Sequence, residues 1–182
     1  TDALAVYGGL VNVSTLVQCC GYSVGQAAQP ILSQNHGARQ GARILGVLQY
    51  ALYTAAAFGV GWTVVLLLFP QPLITLFMVP TDQVLAIAPG ILRTYGLSFL
   101  LLPLNIFSTY YFQSIMQLRP GSAFGVSVAR GLVVSGGLIL ALPTLFGGQA
   151  LWWAMPVTEG VVALGAAALM AHSVRRLRAG KY

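Results

Sequence analysis

Residues 22–39 read YSVGQAAQPILSQNHGAR. Gln26, Gln29, Gln34, Asn35 and His36 crowd around Pro30, at the end of an apolar run that begins near Ala3. A dry core takes up such amides only with hydrogen-bond partners, and so does a lipid-facing helix. The rest of the chain identifies the solvent. Hydrophobic residues make up 57% and charged residues 7%, and the mean hydropathy is +0.80. A soluble domain carries about a quarter charged residues. This chain has too few charges to cover a water-exposed surface, so it reads as an integral membrane protein. Glycines and prolines scattered through apolar runs fit that reading, since membrane helices tolerate both.

A helix crosses the hydrocarbon with about 20 apolar residues. Five blocks reach that length, at 3–32, 44–69, 84–117, 123–146 and 151–172, ahead of a basic tail at 173–182. The expected fold is therefore all-α, a polytopic membrane bundle of five transmembrane helices. The third block is too long for one straight, untilted span, so it should tilt or protrude. Pro103 is its natural hinge, because proline breaks the helical ladder. Between the second and third blocks, LITLFM suits a short helix lying at the interface.

Orientation follows from Lys and Arg. Arg39 and Arg43 lie in the first connector, only Asp82 in the second, Arg119 in the third and no charge in the fourth; the tail carries Arg175, Arg176, Arg178 and Lys181. Basic and non-basic connectors alternate, as antiparallel spans require. The C-terminus is thus expected in the cytoplasm and Thr1 outside. The chain starts without Met, close to an apolar run, and is expected to be a piece of something longer.

The net charge of +6 does not mark a nucleic-acid binder, because the basic residues sit in small groups between apolar blocks. Cys19 and Cys20 are adjacent, with no third cysteine to pair with and no metal-ligand spacing. They read as small buried or lipid-facing residues. No nucleophile–base set, carboxylate pair, metal cluster or phosphate loop is present, so no enzyme is expected.

Within the first block, Thr15, Gln18, Tyr22, Gln26 and Gln29 fall within roughly 80° of one another at helical spacing, with Asn12 at the edge. They form a polar stripe. Either it lines an aqueous cavity, or its members hydrogen-bond neighbouring helices. Gly21 and Gly25 lie to another side and suit close packing. Pro30 should bend or stop the helix. Asn35 and Gly37 then make the turn, with His36 exposed in it.

Charges within spans are functional candidates. Glu159 and Arg130 stand near the middle of the fifth and fourth blocks, which neighbour each other, and are expected to approach as a buried pair. Its role is either to order the bundle or to serve transport. Arg93 should snorkel to the outer interface. Asn105 either caps the carbonyls freed at Pro103 or faces the cavity. Tyr110, Tyr111, Trp152 and Trp153 suit interface belts, and Trp62 should pack inside.

The run GQAAQPILSQNHGA (25–38), closing an apolar helix, resembles the multidrug and toxic compound extrusion (MATE) family. LRTYGLSF (92–99), LNIFSTYYFQSI (104–115), the Arg130 of SVARGLVV and WWAMPVTEG (152–160) resemble that family's successive segments in order. The resemblance implies part of the C-terminal lobe of a twelve-helix transporter, the five spans being its helices eight to twelve. It implies efflux of organic cations in exchange for Na⁺ or H⁺, by rocking of two lobes around a shared cavity. Gln26, Gln29, Pro30, Asn35, Arg130 and Glu159 match the family pattern. Some Na⁺-coupled members carry an acid in the helix matching the third span; here only Asp82 precedes it, so the site of the coupling ion cannot be assigned in this chain. No cofactor or metal is implied. Implied partners are membrane lipid, organic cations and the missing N-terminal lobe, in a bacterial cytoplasmic membrane.

Two other readings stand beside this one. A lipid-linked precursor flippase of the same superfamily would show a more basic cavity. A non-transporting scaffold would show no coherent polar stripe.

Overall fold

The computed structural model describes residues 2–77, 79–115 and 134–180. In chain order it contains α1 (Asp2–Gly37), α2 (Gly41–Leu68), α3 (Pro70–Phe77), α4 (Asp82–Gly96), a 3-10 turn (Leu97–Leu100), α5 (Leu102–Ile115), α6 (Gly136–Phe146), a second 3-10 turn (Gly148–Trp153) and α7 (Ala154–Arg178). Lipid offers no hydrogen bonds, so each spanning segment must satisfy its backbone within itself, and a helix does so. Side-chain hydroxyls follow the same rule. Thr15, Ser23, Thr54, Ser108 and Thr158 each donate to the carbonyl four residues earlier.

Four described segments are long and apolar enough to cross a membrane: Asp2–Gly37, Gly41–Leu68, Asp82–Ile115 and Gly148–Arg178. The expected count was five. Most of the remaining block, 123–146, lies outside the described residues, and its visible part is the shorter apolar helix α6.

Several boundaries differ from the sequence reading. Helix α1 does not stop at Pro30 but runs on to Gly37. Leu32, fully buried with Ile44 and Leu48 of α2, holds the extra turns in place. Asn35 bonds the carbonyl of Ile31 at 2.7 Å, inside the helix rather than in a turn. The reversal falls at Ala38–Gln40, where Arg39 takes the left-handed conformation (φ 55°). His36 is half-buried in the last turn of α1. The basic tail is not a free extension, because α7 stays helical to Arg178. Ser173 and Leu177 are buried there, and arginines at a helix C-terminus complement its dipole.

The third span is broken rather than bent. Helix α4 ends at Gly96, the chain makes a 3-10 turn, and α5 starts at Leu102. Pro103 sits in the first turn of α5, where its missing N–H costs little; the disruption falls on the residues before it. The carbonyls of that break press on α2. A Cβ added at Gly59 would stand 2.5 Å from the carbonyl oxygen of Leu100 and 3.1 Å from that of Phe99. Thr63 of α2 reaches the Gly96 carbonyl at 3.4 Å.

The core forms two clusters, one above the other. One joins Leu10, Val13 and Val17 of α1 to Leu66, Leu92, Phe99 and Ile106. The other joins Leu32, Ile44, Leu48, Phe107, Tyr111, Met170 and Leu177. Tyr111 is therefore core, not interface belt: it is fully buried and its hydroxyl lies 2.9 Å from Ser173 Oγ on α7. Tyr110 also turns inward, against α1. Trp62 is half-buried against the first cluster, as expected, and Trp153 is exposed. Cys19 is exposed and Cys20 half-buried.

Candidate functional site

Two polar features emerge, one buried and one on the surface. The buried one centres on Glu159 in the second turn of α7, 2% exposed. Asn105 of α5, equally buried, donates from Nδ2 to Glu159 Oε2 at 2.6 Å and to the Glu159 backbone carbonyl at 2.9 Å. Asn105 follows the helix break by one turn, so the bond ties α7 to the broken span. Asn105 thus caps no freed carbonyl of its own helix, and it does not lie on the exposed stripe. Arg130, the expected partner of Glu159, lies outside the described residues.

Further oxygens gather on the same side. The Tyr95 phenol at the end of α4 lies beside Ser14 of α1 and within electrostatic reach of Tyr7 and Glu159. Ser14 Oγ is buried without a hydrogen bond of good geometry. An apolar cleft of about 320 Å³, lined by Tyr7, Tyr95, Ile139, Trp152 and Met155 among others, opens beside Tyr95. Ser14, Tyr7 and Tyr95 escaped the sequence reading. Each looks like ordinary helix sequence, and only the packing of α1 on α4 brings them together. Among the described residues no group of three His, Cys, Asp or Glu side chains gathers as a metal site.

The surface feature is the α1 stripe. Asn12, Thr15, Tyr22 and Gln26 are exposed, and Gln18 and Gln29 are half-buried. The stripe stands about 120° around the axis from the buried face of the helix. Thr15 satisfies its own donor through the Val11 carbonyl at 2.9 Å. The glutamine side chains find no hydrogen-bond partner among the described residues. They do not act as glue within the described bundle.

Close packing of α1 on α5 orders this surface. A Cβ at Gly21 would stand 3.1 Å from Ile106 and from the backbone of Pro103, and one at Gly25 would enter the Tyr110 ring. Without a side chain at residue 25, Tyr110 lies against α1 and meets Tyr22 edge-on, ring centroids 6.5 Å apart. Pro30 sits in an unbroken helix, so no hinge is visible there; the interruption is at 97–101, just before Pro103. Arg93 is exposed and donates from Nε to the Leu67 carbonyl at 3.2 Å, in the last turn of α2. There it answers the negative end of that helix as well as any interface.

A polytopic helix bundle with an interrupted span and a buried carboxylate bonded beside the interruption is an integral membrane protein of the kind that moves solutes. The MatE family model matches residues 1–139, and the chain belongs to that family. Among solved structures it is similar to the MATE multidrug transporter DinF-BH, solved in complex with a dye, with 25% identity and a TM-score of 0.79 over 92% of this chain. The match spans 37% of that protein's chain. A comparison with curated proteins gave no match.

Proposed function

We propose that this chain is part of a secondary active efflux antiporter that exports organic cations in exchange for Na⁺ or H⁺. The observation that carries the reading is the row of amides with Tyr22 on the open side of α1, which find no protein partner among the described residues. Amides turned to acyl chains would be costly, whereas amides facing a water-filled cavity shared with a second lobe are satisfied. Amide oxygens and an aromatic face are also ligands for a weakly hydrated organic cation. The similarity to a multidrug transporter solved with a dye bound supports the same substrate class. The buried Glu159–Asn105 contact next to the interrupted span is where a shift of α7 against α4 and α5 would register.

The stripe carries no basic side chain, which weighs against a flippase for an anionic headgroup. The expected setting is a bacterial cytoplasmic membrane, with the Arg175–Arg178 end in the cytoplasm. The test is ethidium efflux by the full-length protein in proteoliposomes, under Na⁺ and pH gradients applied separately. Gln26→Ala with Gln29→Ala should slow efflux by about tenfold, the equivalent of one or two lost hydrogen bonds. Wild-type rates from the double variant would remove the stripe from the pathway. Efflux under neither gradient would remove the antiporter reading.

A further inference from the structure

The C-terminal half of α7 has a pattern that the transport reading does not use. Leu164, Ala168, Ala171, Arg175 and Arg178 recur at spacings of four, three, four and three residues, and all are exposed. At that spacing they form one continuous stripe. Its first half is apolar and low in relief, since a Cβ at neighbouring Gly165 would meet nothing within 4 Å. Its second half is cationic. The opposite face of the same turns is anchored, with Met170 and Leu177 buried among Leu32, Ile44 and Leu48 and Ser173 bonded to Tyr111.

That anchoring brings the end of α7 to the α1–α2 reversal, where Arg39 and Arg43 are also exposed. Among the described residues no carboxylate stands at this end. Asp2 and Asp82 begin α1 and α4. Glu159 lies about 24 Å along the helix axis from Arg175. On α2, exposed Tyr50 (77%) and Tyr53 (65%) follow Arg43 two to three turns into the bilayer, at the depth of an aromatic belt.

We propose that this stripe is a site for an anionic phospholipid, its acyl chain along Leu164, Ala168 and Ala171 and its phosphate between Arg175 and Arg178, with Arg39 and Arg43 adding to the field. An apolar track that ends in uncompensated guanidinium groups matches a ligand with a tail and an anionic head. A nucleic acid would have no use for the track, and a neutral lipid none for the arginines. Arginine suits a phosphate because its planar fork donates two parallel bonds. The inference rests on membrane embedding and not on what the protein transports.

The test is native mass spectrometry of the full-length protein, titrated with phosphatidylglycerol, with phosphatidylcholine of the same chains, and with glycerol phosphate. Phosphatidylglycerol should bind roughly tenfold more tightly than phosphatidylcholine, and Arg175→Gln with Arg178→Gln should abolish that preference. Ala168→Trp, which fills the track and leaves the charges in place, should also weaken phosphatidylglycerol binding several-fold. Equal binding of the two lipids, glycerol phosphate binding as well as the whole lipid, or full retention in either variant overturns the site.

Discussion

Asn105 does what no other described side chain does: it gives one amide hydrogen to a buried carboxylate and the other to that residue's carbonyl. Asn105→Ala should lower stability by about 1–3 kcal/mol, because it leaves Glu159 acceptors short of a donor. Thermal unfolding in detergent measures this. Glu159→Gln should be milder, since a neutral amide keeps an acceptor for Asn105 and places no charge in the bundle. If the two substitutions cost the same singly and add fully when combined, the bond is not the coupling between α5 and α7. Gly25 offers a second residue-scale test. Gly25→Leu drives a side chain into the Tyr110 ring. The variant should be destabilised by several kcal/mol or fail to fold, and Tyr110→Ala should recover much of the loss by opening the space. Absence of any rescue would mean that the clash is not with that ring.

At the scale of elements, the broken third span governs the arrangement. Without the Gly96–Leu102 interruption, α4 and α5 would be one straight helix, and the first turns of α5 would not bring Asn105 to Glu159. Gly59 and Thr63 hold the break against α2. Gly59→Val should be strongly destabilising, since the atoms it meets are backbone carbonyls that cannot swing away like a side chain. Thr63→Val, which removes one long hydrogen bond and keeps the shape, should cost under about 1 kcal/mol. Melting temperatures of the two variants should therefore separate widely, and similar losses would show that the break is not braced at Gly59. The break was half legible in the sequence. Pro103 announces a lost hydrogen bond but not where the chain will relax, and here the relaxation is N-terminal to it, where Gly96 and Ser98 accept tighter turns. Pro30 makes the converse point. Its local rule predicts a stop, yet packing of Leu32 on α2 outweighs one missing bond.

At the scale of the whole molecule, the polar stripe of α1 lies on an open side of the described bundle, and the cavity reading requires a second wall. The isolated chain reconstituted in vesicles should move no ethidium under either gradient, whereas the full-length protein should. Transport by this chain alone would show that the second wall is not needed.

The membrane location, the all-helical class, the polar stripe and the close-packing glycines were readable from the sequence alone. Each depends on composition or on periodicity along a single helix, and a bilayer leaves one local answer for the backbone. The sequence could not tell that Tyr111 would be core while Trp153 stays outside, that Asn105 would turn from the stripe to Glu159, or that Ser14 and Tyr95 would meet. Those outcomes depend on which helices touch and at what height. In lipid that choice rests on shape, on where a glycine lets two backbones close, and shape exists only once both partners are folded.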